Sequence, residues 1–384
     1  MVVQVDHPWI SFTADLERMP PTFWMQLGEA RSKCNHLARV PLPKPYADQL
    51  HQISLAKGVH ATTAIEGNTL SEEAVREIVL RQSPPQSQDY LTREVENVLA
   101  AYNWVLEELR AGRQPELSPQ LISEFNRQVL DGLDNLEDHV TPGEIRTRSV
   151  TVGPYRAPDA GECSDLLARM CEWLNGPSFA GEDAMKLPTA IIRASLAHLY
   201  LAWIHPFGDG NGRTARLCEY LVLVTSGVPT SAAHLISNHC NLTRAEYYSQ
   251  LRHASESGGD ITRFLSYCAD GFVSGLSEQL EFVYERQFRL TWTEYVNDNV
   301  RGRDWDMRER RSLIANTLLF RGPVPKSLIT GLTPELSRSY ATCGPRTLGR
   351  DLNDLVASEL LREDPEGYLA REDVLMNLLP LVVS

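Results

Sequence analysis

The sequence predicts a mainly α-helical protein: a helical core carrying one short β-hairpin, an N-terminal helical segment before it, and a C-terminal set of helices closed by a second hairpin. Three observations carry this expectation. Apolar residues recur at about 3.6-residue spacing through most of the chain, as in LTREVENVLAAYNWVLEELRAG at 91–112. Strand-like alternation is confined to short stretches such as TRSVTVGPYRAP at 147–158. Helix starts and stops punctuate the chain at intervals suited to ordinary globular helices.

In chain order, Tyr46 to Ile65 has helical apolar spacing and stops at Glu66-Gly67-Asn68, where Gly suits a left-handed helix end. Thr69 followed by Glu72 reads as a capping box that opens the next helix. The Pro-rich runs RVPLPKPY (39–46) and QSPPQSQ (82–88) read as surface connections. The helix at 91–112 ends at Gly112, and another starts after Ser118 with Pro119 in its first turn. Val150 and Val152 alternate with polar neighbours and are closed by Gly153-Pro154, which predicts a short hairpin. The runs IIRASLAHLYLAWI and RLCEYLVLV predict two buried helices on either side of a glycine-rich turn. From about residue 276 the pattern changes, and EQLEFVYERQFRLTWTEYV looks like a long connecting helix. Further on, PRTLGRDLNDLVASELLRE followed by DPEGYLA resembles the third helix and β-wing of a winged helix-turn-helix domain.

At 384 residues the chain is long enough for two or three domains. Its net charge of −13 argues against a general binder of nucleic acid or membrane surfaces, so any phosphate site must be local. The N-terminal MVVQVDHPWI lacks a basic start and is broken by Asp6, unlike a secretory signal. Residues 187–207 carry Arg193 and His198, so no window is an uninterrupted membrane span. Seven cysteines, Cys34, Cys163, Cys171, Cys218, Cys240, Cys268 and Cys343, form no close metal-ligand pairs and read as reduced thiols of a cytoplasmic protein.

Residues 205–216, HPFGDGNGRTAR, constrain the chemistry most tightly. The run lies between two apolar helical patterns and therefore opens a helix, where unpaired N–H groups and the positive dipole end favour anions. Gly208, Gly210 and Gly212 let phosphate oxygens approach the backbone. A histidine, an aspartate and two arginines three apart complete a set suited to a polyphosphate.

The dodecamer matches the pattern HPFxDGNGRxxR at every fixed position, and in this the chain resembles Fic-domain proteins. The resemblance implies a helical Fic core with a β-hairpin flap, and an enzyme that transfers AMP from Mg-ATP to a Ser, Thr or Tyr hydroxyl of a target protein, itself included. His205 would be the general base, with an ordinary pKa of about 6.5. Asp209 would hold Mg²⁺. Gly210, Asn211 and Gly212 would form the anion nest, Arg213 would take the β-phosphate and Arg216 the γ-phosphate. His198, one heptad earlier, has no such support and reads as a core histidine.

Upstream, Thr62-Thr63-Ala64-Ile65-Glu66-Gly67 fits the inhibitory pattern of similar proteins, with Thr62 and Glu66 one helical turn apart. By resemblance, Glu66 would pair with Arg216 and block a productive γ-phosphate pose, the class II arrangement. Val152, Gly153, Pro154 and Tyr155 correspond to the flap, whose edge would receive an extended target segment. Tyr247 and Tyr248 before Leu251 resemble the segment near the adenine, but Ser255 stands where similar proteins often carry Asn. The resemblance thus divides the chain into residues 1–110, with an inhibitory helix at about 58–67, a Fic catalytic core at 111–275, and a connecting helix with the winged-helix-like domain at 276–384.

Two alternatives stay open on sequence. Glu66 could orient a water, which would make the same site remove AMP. The C-terminal domain could instead make the chain a DNA-binding regulator, with Arg346 and Arg350 meeting DNA; Asp351 and Asp354 beside them, and a slight excess of acidic residues after 276, disfavour DNA as a partner. A docking role for that domain is the preferred reading. Homodimerisation, the target and the trigger that releases Glu66 are not written in the sequence.

Overall fold

A computed structural model describes residues 7–81, 90–179, 183–302 and 304–377. They fold into two compact units, Met1–Leu280 and Glu281–Ser384. The Pro-rich run expected at 82–88 lies outside the described residues.

In the first unit the helices are α1 (Pro21–Arg39), α2 (Lys44–Ala64), α3 (Glu72–Arg81), α4 (Tyr90–Arg110), α5 (Pro119–Val129), α6 (Cys163–Leu174), α7 (Lys186–Ile204), α8 (Asn211–Thr225), α9 (Leu235–Leu242), α10 (Arg244–Glu256) and the first part of α11 (Thr262–Asn299). The protein is mainly helical, as expected. A two-residue hairpin, β1 (Thr151–Val152) against β2 (Tyr155–Arg156), is the only sheet of this unit among the described residues. Its strands pair antiparallel around Gly153-Pro154, where Gly153 adopts φ 56°.

The core forms around α7 and α8, which pack on each other. Leu196, Leu199, Leu201, Leu217, Leu221 and Leu223 are fully or almost fully buried between them and their neighbours. Each such side chain contributes about 1.5–3 kcal/mol by leaving water. By length and composition α7 passes as a membrane span, but it is the buried central helix of this unit. Its apolar character belongs to the core. α2 and α4 pack against α8 and against each other, so the N-terminal helices join the core rather than standing apart from it.

Local details explain where the elements end. Ser118 caps α5 by accepting the Leu121 N–H at 3.2 Å, and Pro119 occupies the first turn, as expected. The capping box expected at Thr69 is displaced: Ser71 Oγ accepts from Ala74 N at 3.2 Å, because α3 begins only at Glu72. α2 stops at Ala64, so Glu66 and Gly67, at φ 106°, lie in a turn just beyond the helix and not on its face. The long helix expected from residue 276 starts at Thr262, one core segment earlier.

The second unit contains the rest of α11, α12 (Trp305–Leu318), α13 (Lys326–Ile329), α14 (Pro334–Tyr340), α15 (Thr347–Ala357), a hairpin of β3 (Leu361–Asp364) and β4 (Gly367–Ala370), and α16 (Asp373–Met376). Its own core gathers Trp292, Ile314, Leu318, Ile329, Leu336, Leu352, Leu355 and Leu361. Val324 adds an isolated bridge to Tyr368, which brings a third short segment alongside the hairpin.

Candidate active site

α7 ends in an abrupt reversal. His205 closes the helix with its N–H bonded to the Leu201 carbonyl and adopts φ 48°, ψ 57°, a left-handed conformation that non-glycine residues occupy at a cost. Pro206 then stops any continuation of the helix. Phe207 is buried and bridges to Ile145, which anchors the loop in the core.

Four side chains brace the loop from below. Asn211 accepts the Phe207 N–H at 3.0 Å and donates to the Phe207 carbonyl at 2.8 Å. Its amide is therefore spent inside the loop, and only its backbone can serve an anion nest. Asn126 donates to the Asp209 carbonyl at 2.8 Å and accepts the Gly143 N–H at 2.9 Å. Arg146 Nε donates to the His205 carbonyl at 2.8 Å. Thr214 returns its hydroxyl to the Gly210 carbonyl at 2.8 Å. With these bonds made, the first-turn N–H groups of α8 are left facing outward without helical acceptors.

Gly210 sits at the helix N-cap with φ 74°, and a Cβ there would come within 3.0 Å of the Asn126 amide. Both constraints demand glycine. At Gly212 a Cβ would lie 2.1 Å from Glu66 Oε1, so the Glu66 carboxylate rests directly on the first turn of α8. A carboxylate already sits where an anion is favoured.

Arg213 and Arg216 are almost fully buried, at 3 % and 0 % side-chain exposure. Arg216 pairs with Glu66 and donates to the Thr62 carbonyl at 3.0 Å. Thr62 thus acts through its carbonyl, while its hydroxyl shares a hydrogen bond of 2.9 Å with Tyr102. Arg213 pairs with Glu94 and approaches Asp209 at 3.3 Å. Arg216 Nε and Nη1 and Arg213 Nε have no hydrogen-bond partner in the protein. Leaving buried charged donors unmet costs free energy, and an anionic ligand would recover it.

Burial pushes the His205 imidazole down to about 4, against the Ala202 carbonyl and the carboxylates of Glu66 and Asp209. It is neutral at physiological pH and so able to accept a proton. Desolvation against the first turn of α8 would raise the Glu66 pKa, but the adjacent Arg216 charge and hydrogen bond outweigh it and hold the carboxyl below its ordinary value. Asp209 accepts the Gly210 N–H at 2.5 Å and remains half-exposed. Among the described residues no three His, Cys, Asp or Glu side chains cluster to hold a metal. A cation at Asp209 would rest on one carboxylate plus oxygens of a ligand, the donor set that suits Mg²⁺.

The remaining residues expected at the site are spread around it. Val152, Gly153 and Pro154 are exposed at the hairpin tip, and Tyr155 ties the hairpin to α7 through its hydroxyl, which donates to the Trp203 carbonyl at 2.7 Å. Tyr248 is 41 % exposed and donates to the Ile65 carbonyl at 3.3 Å, beside Glu66. Tyr247 is buried, with its hydroxyl on His198 Nε2 at 2.9 Å. That hydroxyl is committed to a core network in which His198 also meets Glu219 at 2.8 Å, in keeping with a structural His198. Sequence reasoning missed Asn126, Arg146, Glu94 and Asn68, which lie outside the dodecamer and reach the loop or its partners through tertiary contacts.

Residues 116–223 match the model of the Fic/DOC family. Protein adenylyltransferase fic-1 of Caenorhabditis briggsae is 36 % identical over 214 residues, which are 55 % of this chain and 38 % of that protein. Its Caenorhabditis elegans counterpart is 35 % identical over 214 residues, again 55 % of this chain and 38 % of that one. The chain therefore spans about two-fifths of the length of the curated relatives it matches. Among solved structures, Fic-1 from C. elegans aligns with a TM-score of 0.55 at 27 % identity, over 68 % of this chain and 72 % of that one. A Fic family protein from Desulfovibrio desulfuricans G20 shares the fold over 92 % of this chain and 96 % of its own, with a TM-score of 0.56 at 18 % identity.

Proposed function

We propose that this chain, whose residues 116–223 match the Fic/DOC family model, is a self-inhibited protein adenylyltransferase that moves AMP from Mg-ATP to a hydroxyl of a target protein. The observation that carries this is the pair of buried arginines with unmet donors beside a glycine-opened helix N-terminus and a neutral histidine. The triphosphate would lie along the first turn of α8, its β- and γ-phosphates meeting Arg213 and Arg216. Magnesium on Asp209 would neutralise charge on the departing pyrophosphate.

His205 takes the proton of the incoming Ser, Thr or Tyr hydroxyl, whose oxygen attacks the α-phosphorus. The bond from that phosphorus to the bridging oxygen of the β-phosphate breaks, and pyrophosphate leaves. The left-handed backbone of His205 is held by Arg146, which donates to its carbonyl. The exposed edge of the β1–β2 hairpin would pair with an extended target segment through main-chain hydrogen bonds.

Self-inhibition rests on Glu66. Its carboxylate is an anion on the α8 N-terminus and consumes one arm of Arg216, so it competes with the terminal phosphate. The second unit is assigned to docking or target selection rather than DNA binding. Incubating the chain with labelled ATP and Mg²⁺ tests the reading: label should appear on the chain or on a protein in a lysate, and should vanish in His205→Ala. Undiminished labelling in that variant would remove His205 from its role.

A further inference from the structure

Glu94, on α4, stands outside every motif considered above, yet it is 3 % exposed and lies at the junction of the two halves of the site. One carboxylate oxygen, Oε1, accepts from Arg213 Nη1 and from the Tyr90 hydroxyl at 3.0 Å. The other, Oε2, accepts from Asn68 Nδ2 at 2.9 Å. Asn68 follows Glu66 and Gly67 in the turn that ends α2, is itself buried, and also donates to the Leu91 carbonyl at 2.8 Å while accepting the Leu70 N–H at 3.0 Å. A single buried carboxylate thus grips one arginine of the phosphate site and the turn that restrains the other.

Resting on the proposed function above, we infer that Glu94 is a positioning residue that aims Arg213 at the nucleotide and, through Asn68, couples that arginine to the inhibitory turn. The physical basis is geometric. A guanidinium is planar, so fixing Nη1 on Glu94 sets the plane in which Nε and the remaining N–H groups point. Arg213 Nε is the buried donor left without a protein partner, and Glu94 determines where it points. Because Asn68 binds the opposite oxygen, a shift of the turn that withdraws Glu66 from Arg216 pulls on the carboxylate that holds Arg213. The two arginines are then prepared for a nucleotide together and not one at a time.

The test compares binding of Mg-ATP with that of AMP, which has no β-phosphate, by calorimetry on the full chain carrying Glu66→Gly. Glu94→Gln keeps the shape and loses the charge. It should weaken Mg-ATP about tenfold while leaving AMP within about twofold, and should cause no further loss when Arg213→Ala is already present. Equal weakening of both nucleotides, or losses that add with Arg213→Ala, would overturn the inference. If Arg213→Ala alone leaves Mg-ATP affinity unaltered, the phosphate assignment itself fails. If Arg213→Ala weakens Mg-ATP and Glu94→Gln does not, only the role of Glu94 fails.

A second variant reads the coupling without touching the carboxylate. With Glu66 in place, Asn68→Ala should raise self-labelling from ATP several-fold, and the rise should disappear on the Glu66→Gly background. An unchanged rate in the presence of Glu66 would break the link between the turn and Arg213.

Discussion

Two sets of buried arginines divide the molecule by purpose. In the second unit Arg311 spends every arm inside the protein: Nε on Asp351 at 2.8 Å, Nη2 on Asp354 and Nη1 on the Arg301 carbonyl. Asp351 is completed in turn by the Tyr340 hydroxyl at 2.8 Å and by Arg310 at 3.4 Å. In the first unit Arg213 and Arg216 are equally buried, but three of their nitrogens meet nothing in the protein. A satisfied buried guanidinium holds elements together. One that keeps unmet donors beside its ion pairs retains groups that a ligand could still satisfy, and the contrast separates a strut from a candidate site.

The largest expected effect comes from removing the proposed base. His205→Ala on the Glu66→Gly background should reduce AMP transfer by about 10²–10⁴-fold, measured as label incorporated per minute at saturating Mg-ATP. Next is the contrast between the two arginine sets. Arg311→Ala should lower unfolding stability by about 3–5 kcal/mol, as expected when one partner of a buried ion pair is removed, and leave Mg-ATP affinity unchanged. Arg213→Ala should weaken Mg-ATP by about 10-fold or more. If Arg311→Ala proved stable and impaired in nucleotide binding, the contrast would collapse.

Glu66→Gly should raise labelling by roughly tenfold, the scale of one charge-assisted hydrogen bond returned to Arg216. No change with nucleotide binding intact would make Glu66 an ordinary residue of the turn.

A smaller effect follows from His205. Because burial lowers its folded pKa to about 4, below its unfolded value of about 6.5, the unfolded chain binds the proton first as pH falls. Its contribution to stability is therefore intact above the unfolded value and lost as pH drops toward the folded one. Transfer by the Glu66→Gly variant should accordingly be flat in this ionisation across neutral pH and fall only near the lower value. A rate that follows a pKa near 6.5 would place the titrating histidine in an open, solvated setting instead. Smallest of all is the expected response to duplex DNA, which should not shift the second unit's migration at any salt concentration. A salt-dependent shift would revive the DNA-binding alternative.

Much of the architecture is legible in the chain itself. The helix at 91–112, the Ser118-Pro119 start and the Gly153-Pro154 hairpin follow from local rules, since cap chemistry and apolar spacing act within a few residues. The cap of α3 was misplaced because Thr69 and Ser71 are both competent, and only the path of the turn through Asn68 selects Ser71. The start of α11 at Thr262 follows Gly258 and Gly259, both at positive φ, and Asp260, which accepts the Thr262 N–H at 2.9 Å, a local break that precedes the change of pattern at 276.

The sequence by itself determined the set of groups in the loop at 205–216, because glycines, a histidine and two arginines at fixed spacing can be recognised without knowing what surrounds them. Only the tertiary structure decided which donors are spent and which remain. Asn211 turns inward, Thr62 serves through its carbonyl, the Tyr247 hydroxyl belongs to the core, and Glu94 arrives from 119 residues away to hold Arg213. The physical reason is that hydrogen-bond satisfaction depends on which groups become neighbours, and burial makes each such meeting consequential.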